Sequence, residues 1–349
     1  MLYGLLNPHG GDIYGGDVQL DFSANTNPFG TPEGVIRAVG AALPEMHRYP
    51  DPYCRALVEK IAAFEGVRRE YILCGNGAAE LIYAYCAAAR PKTALELAPT
   101  FCEYTLGLEQ AGCQVKHYYL TPDNGFTLDG RFVDYLTEIL PEAVFLCNPN
   151  NPTGSLISPE LLREILDTCR ENQIRLFVDE CFLDLSDDAQ SMKACLETYP
   201  GLFLLKAFTK SYGMAGIRLG YCLSADGDLL KAMAQAVQPW NVSGLAQAAG
   251  IAALEQGEFL EKTRMLIRKE RPWLKERLEG FGLRVIPSKA NYLLFQGPEN
   301  LGENLKARGI SIRSCDNYPG LTRGWYRIAV RRHEENELLM AAIGSILEV

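Results

Sequence analysis

Four short segments carry side chains that could do chemistry, and each lies where an apolar run gives way to a turn. Lys210 stands in AFTKSYGMAGIRLG, just past one such run, with Arg218 eight residues further on. An amine held among apolar walls and other cations loses its proton readily and can form a Schiff base with an aldehyde, whereas a solvated lysine is only a surface charge. Asp179 and Glu180 close the run LFV. An acid pair at the end of a buried strand is costly unless something meets the charge, though a solvated strand end also tolerates it. NPNNPTG, residues 148–154, follows AVFLC. Its two Asn–Pro pairs enforce a rigid, non-helical loop, and the consecutive Asn150 and Asn151 could either make a plain turn or aim amides into a site. The last segment, CGNGAAE at 74–80, joins the strand-like YIL to a helix. Glycine permits close approach of backbone to a ligand, and a helix N-terminus offers N–H groups and a positive dipole end to a phosphate. The segment fits neither GxGxxG nor the phosphate loop ending in Lys, so a dinucleotide-dependent hydride transfer has no support.

Together these parts are a helix terminus for a phosphate, an acid for a pyridinium nitrogen, an Asn for a ring hydroxyl and a Lys for an aldehyde. Those are the needs of pyridoxal phosphate.

The elements that must position them alternate along the chain. The expected strands are Thr93–Leu97, Gln114–Tyr119, Ala143–Cys147, Arg175–Val178, Gly201–Ala207 and Leu219–Leu223. Helices are expected between them, for example Ala78–Ala89 and Pro159–Asn172, the second with Ser158 as N-cap and Pro159 in the first turn. Such alternation predicts an α/β fold with a mostly parallel sheet flanked by helices, whose ligands bind at the carboxyl ends of the strands. After about residue 245 the pattern changes. A long helical stretch, Ala246–Gly280, precedes strands near Leu283–Ile286, Tyr292–Phe295 and Trp325–Val330 and a last helix, Glu334–Leu347. The chain therefore reads as an arm (1–44) with one short strand near Val18–Phe22, a large domain (45–245) and a smaller α+β domain (246–349).

Bulk properties narrow the function. The 349 residues carry 34 basic and 43 acidic side chains, net −9, which argues against a general nucleic-acid binder. No apolar run reaches the ~18–20 residues of a membrane span, and the first residues lack the pattern of a signal peptide. The 11 cysteines are odd in number, irregularly spaced and without a CxxC, so neither a disulfide framework nor a zinc site is expected, and no metal is assigned. They read as small buried hydrophobes in a reducing cytoplasm.

The order GNGA, NPNNPTG, DE-x-F and TK-x7-R resembles the fold type I pyridoxal-phosphate enzymes of the aminotransferase class I/II group, over essentially the whole chain. By that resemblance Lys210 binds the cofactor aldehyde and Asp179 pairs with the pyridine nitrogen. Asn151 would bond the ring hydroxyl, and Gly77, Ala78, Thr209 and Arg218 would hold the phosphate. Phe101, in APTFCEY, would stack on the ring. Tyr49, in RYPDP, would reach the cofactor phosphate of a second copy, which implies a homodimer. Two branches are nearest, the threonine-phosphate decarboxylases of the cobalamin pathway and the histidinol-phosphate aminotransferases. HGG at 9–11 followed by DFSANTNP at 21–28, IRSCDNYPGL at 312–321, and Phe182 where most aminotransferases carry Tyr resemble the decarboxylases. The stretch between HGG and DFSAN is shorter here than in that branch.

Either branch implies a small phosphorylated amino-acid substrate, and hence fixed cations. Arg313 and Arg327 flank the SCDNYPG segment, and the planar guanidinium fork suits carboxylate and phosphate alike. The resemblance makes Arg327 the carboxylate ligand and Arg313 a second anion ligand. His9 and Asn25 are candidate phosphate ligands from the arm, and Arg331 is a third cation. Phe101 and Tyr14 are the bulky side chains that would decide whether an imidazole fits.

Overall fold

The computed structural model describes residues 9–14, 16–186 and 190–348. The leading MLYGLLNP segment, residues 1–8, thus lies outside the described residues. A seven-stranded sheet runs in the order Ile72–Gly75, Gly220–Ser224, Leu202–Ala207, Arg175–Asp179, Ala143–Cys147, Thr93–Ala98, Gln114–Tyr119. Only Gly220–Ser224 runs against its two neighbours, and the other pairings are parallel. The sheet is mostly parallel, as expected. The expected strands Gln114–Tyr119 and Ala143–Cys147 occur with those bounds.

Strand alternation sorts the side chains onto two faces. Phe145, Phe177 and Phe203 are in register on three adjacent strands, with rings stacked at 4.5 and 4.9 Å. Tyr85, from the helix Gly77–Ala89, meets this row edge-on at Phe145 and Phe177. Each such aromatic pair contributes about 0.5–1.5 kcal/mol beyond its buried area. The row thus pins that helix across the strands and fixes where its N-terminus points.

The helix Pro159–Glu171 starts as expected, with Ser158 Oγ accepting the Leu161 N–H at 3.2 Å. The long stretch expected at Ala246–Gly280 is instead two helices, Gly244–Ala253 and Gly257–Gly280. The first begins on a cap from Ser243 Oγ to the Ala246 N–H, and the break falls just before Gly257, where helical propensity is low. Strands Arg313–Ser314, Trp325–Ala329, Tyr292–Gln296 and Arg284–Val285 form a second, antiparallel sheet. The arm strand is shorter than expected, Leu20–Asp21, and pairs in parallel with Ile310–Ser311. Phe22 then donates to Ser311 O at 2.8 Å and accepts from Ala329 N at 2.9 Å, so the arm is stitched to this sheet on both sides. The free cysteines are buried except for the half-buried Cys102 and Cys195. No helix among the described residues is long and apolar enough to cross a membrane.

Candidate active site

A cavity of about 620 Å³ opens where the large sheet's strand ends meet the arm and the second sheet. His9, Asn25, Ala78, Phe101, Asn151, Asp179, Thr209, Lys210, Arg218, Arg313 and Arg327 all line it. Residues more than 300 positions apart therefore converge on one space.

Each reaches it for a local reason. Asp179 is the last residue of its strand and is buried. Its Oδ1 accepts the Cys181 N–H at 2.8 Å and its Oδ2 the Tyr104 hydroxyl at 2.6 Å. Burial pushes this carboxyl above the usual range, against these hydrogen bonds and the charge of Lys210. A buried acid in that condition favours a nearby cation, such as a protonated ring nitrogen. Lys210 lies on the single helical turn Phe208–Ser211 that follows the next strand. Among the described residues its Nζ makes no ion pair, and it lies over the Phe182 ring, 5.7 Å from its centroid. Burial, then the charges of Arg327 and Arg218, push the amine down to about 8. A substantial fraction is consequently neutral and nucleophilic near pH 7–8.

The Asn-rich loop divides its labour. Asn148 Oδ1 accepts from Ile157 N at 2.9 Å, and Asn150 donates to Pro99 O at 2.9 Å and Thr153 Oγ1 at 3.0 Å. Those two hold the loop, which leaves Asn151 alone of the three to line the cavity. The GNG turn owes its glycine to space: a Cβ on Gly77, at φ +81°, would stand 2.6 Å from Arg218 Nη2. Arg218 thereby lies against the N-terminus of the helix Gly77–Ala89, and both offer positive charge to one anion.

Opposite them lies a second electropositive wall. Arg327 is buried and donates to Asn151 Oδ1 at 2.5 Å and to Ser23 O at 2.7 Å. Its Nε has no partner among the described residues, and neither amide atom of Asn25 has one, although both residues are buried. Arg313 donates to Asn317 Oδ1 at 2.7 Å and to Ser314 O, and lies over the Tyr318 ring. His9 Nε2 is 2.6 Å from Glu103 Oε1, and its ring lies 5.7 Å from that of Phe101. Glu103 also accepts the Tyr83 hydroxyl at 2.8 Å.

A family model for class I and II aminotransferases matches residues 17–343. The chain belongs to that family. A threonine-phosphate decarboxylase from Salmonella typhimurium is 36% identical over 335 residues, 95% of this chain and 92% of that one. A histidinol-phosphate aminotransferase from Caldanaerobacter subterraneus subsp. tengcongensis is 32% identical over 330 residues, 93% of this chain and 92% of its own. The solved histidinol-phosphate aminotransferase from Clostridium acetobutylicum superposes with a TM-score of 0.88 at 28% identity, covering 94% of this chain and 99% of that one. Pyridoxal 5'-phosphate is the cofactor of this member of the class I/II aminotransferase family. The site fits it: a depressed amine, a buried acid suited to a ring cation, and a helix terminus backed by an arginine.

Three expected residues lie elsewhere. Arg331 does not line the cavity, because Glu335, one helical turn on, takes its guanidinium at 2.7 and 3.0 Å. Tyr14 is 92% exposed and stands clear of the cavity, so Phe101 alone of that pair shapes it. Tyr49 is 78% exposed, stacked on Trp240 at 4.4 Å, and contributes nothing to its own chain's cavity. Sequence reading passed over Tyr104, Glu103 and Ser23. Nothing local marks Tyr104 as the partner of an acid 75 residues away.

Proposed function

We propose that this enzyme decarboxylates L-threonine O-3-phosphate to 1-amino-2-propanol O-2-phosphate, in cobalamin biosynthesis. The observation that carries the reading is the pair of buried, unmet polar groups, the Asn25 amide and Arg327 Nε, in a wall that also holds Arg313 and His9. A buried polar group without a partner costs roughly 1–3 kcal/mol, which a bound anion recovers. Those two unmet groups, beside the Arg313 guanidinium and the His9 ring, suit a substrate with two anions, a carboxylate and a phosphate. The 36% identity to a threonine-phosphate decarboxylase supports the same substrate.

When bound, the cofactor supplies an electron sink for whichever Cα bond stands perpendicular to its ring. The chain's own residues choose that bond. Asp179 would hold a proton at the ring nitrogen, and Asn151, itself oriented by Arg327, would serve the ring hydroxyl. Arg327 would bind the carboxylate while Arg313, His9 and Asn25 would bind the phosphate, which orients Cα. Where the anion ligands present the carboxylate for cleavage, CO2 would leave and Lys210 would return one proton to Cα. Where they present the Cα–H instead, Lys210 would take that proton, as transamination requires. The several histidinol-phosphate aminotransferases at 31–34% identity favour this as the second reading.

The working unit in this proposal is a cytoplasmic homodimer. Its parts are an arm (1–44), a cofactor domain (45–245) and a small domain (246–349), and Tyr49 serves the cofactor phosphate of the second copy. The deciding experiment gives the cofactor-loaded enzyme L-threonine O-3-phosphate without any keto acid and follows CO2. Many turnovers of CO2 with stoichiometric aminopropanol phosphate are expected. Amino transfer from glutamate to a phosphorylated ketone, with no CO2, would replace the first reading by the second.

A further inference from the structure

Behind the cavity, on the other face of the same strand ends, lies a cluster of charges that the proposed reaction leaves unused. Its hub is Lys206, 4% exposed and within the strand Leu202–Ala207. The Nζ lies 3.3 Å from Glu180, 3.4 Å from Glu65 and 3.8 Å from Asp184. Burial alone would push this amine down, but the three carboxylates raise it instead. Every acid has further ties. Glu65 accepts from Tyr221 Oη at 2.6 Å and Lys193 Nζ at 2.9 Å. Glu180 accepts from Ser191 Oγ at 2.7 Å and Met192 N at 2.9 Å. Asp184 accepts the Ser211 hydroxyl at 3.1 Å, and its carbonyl accepts from Arg264 at 3.0 Å.

Two of these ties lead straight to the chemistry. Glu180 is the covalent neighbour of Asp179, and Ser211 that of Lys210. Lys206 itself is the penultimate residue of the strand that delivers Lys210. We propose that Lys206 is a positioning residue: by clamping Glu180 and Asp184 it fixes the directions in which Asp179 and Lys210 leave the sheet. A misplacement of ~1 Å costs a reaction ~100-fold. Breaking a buried charge cluster by removing its cation leaves the acids uncompensated, so their backbone must shift or they must take up protons. The inference rests on Lys210 and Asp179 as site residues, and holds for either reaction.

The test compares Lys206→Met, Lys206→Arg and Asp184→Asn in the cofactor-loaded enzyme. It reads kcat and KM with threonine phosphate, thermal melting, and the visible absorbance of the bound cofactor against pH. In Lys206→Met, kcat is expected to fall ~100-fold with KM within ~3-fold, and the absorbance midpoint to move. Lys206→Arg is expected to restore both to within ~5-fold, and Asp184→Asn to lie between. A folded, loaded Lys206→Met with the wild-type kcat and absorbance profile would overturn the proposal. So would a folded Lys206→Arg as impaired as Lys206→Met. Should Lys206→Met not fold, Asp184→Asn decides by the same two readouts. If the wild type itself releases no CO2, the substrate reading has failed, yet the absorbance profiles still judge Lys206.

Discussion

Lys206 and Lys210 stand four residues apart at one strand end, and the fold treats them oppositely. Lys206 faces three carboxylates and is held charged. Lys210 faces Arg327, Arg218 and a phenylalanine ring, and is pushed down to about 8. The same contrast recurs in the arm. Asn27 donates to Ser211 O at 2.8 Å and Thr263 Oγ1 at 2.9 Å and accepts from Phe29 N at 2.9 Å, whereas Asn25, two residues earlier, has both amide atoms unmet. Burial is similar within each pair. The difference is whether folding itself supplies the partner. In the Lys206 cluster each carboxylate is answered from within the chain, which makes a rigid platform. In the cavity the Asn25 amide and Arg327 Nε are buried and left unanswered, and that unmet demand is what a bound anion can satisfy.

The most severe way to break the contrast is Lys210→Ala. It removes the only lysine amine that lines the cavity among the described residues, and turnover is expected to drop more than ~10³-fold. The cofactor's Schiff-base absorbance should disappear with it. In the wild type, the rate of cofactor loading onto the empty protein should rise with pH through about 8, because the neutral amine is the nucleophile. A midpoint near an ordinary lysine's value would mean the amine is not desolvated. Next comes Arg327→Gln, which removes a buried cation that also orients Asn151. A loss of ~100–1000-fold in kcat/KM is expected, larger than any single neutral hydrogen bond accounts for. Steady-state kinetics with threonine phosphate would show it, and a loss under tenfold would move the carboxylate site away from this guanidinium.

Much of this was legible beforehand, for physical reasons. Strands such as Ala143–Cys147 are short apolar runs bounded by turn formers, and Ser158-Pro159 marks a helix start by itself. The cavity's Lys, Asp and Asn are legible because each stands at or just past the end of an apolar strand, in a fixed order. The rest depends on contacts that only the fold creates. Ile310–Ser311 and Arg313–Ser314 are two residues long and have no period to detect. Arg331 looks like a ligand until its neighbour one turn away claims it. Sequence reading passed over Lys206, a lysine inside the run LFLLKA, because its partners come from residues 65, 180 and 184, which only the fold brings to it.

A milder break is Asn25→Ala. It removes the unmet amide without disturbing the backbone carbonyl that accepts from Asn291 Nδ2 at 3.1 Å. A hydrogen bond to a charged group is worth ~1.5–3 kcal/mol, so kcat/KM should fall ~10–100-fold while the fold is unchanged or slightly stabilised. Calorimetric melting should therefore separate from kinetics, which a purely structural asparagine would not allow. The smallest expected effect comes from Tyr104→Phe. The ring stays packed against Phe145 and Phe177 at 5.9 Å, and only the hydroxyl that donates to Asp179 at 2.6 Å is lost. Burial already pushes that carboxyl up, and removing a donor pushes it further. Asp179 then holds the ring nitrogen's proton less firmly, so kcat should fall ~3–10-fold and cofactor affinity weaken by a similar factor. The loss should deepen as pH falls, because a carboxyl with a raised pKa is neutralised sooner on acidification. A variant with unchanged kcat across pH 6–8 would mean that Cys181 N–H and the bound ring alone keep Asp179 ionised, and that the aromatic row beneath the site contributes packing only.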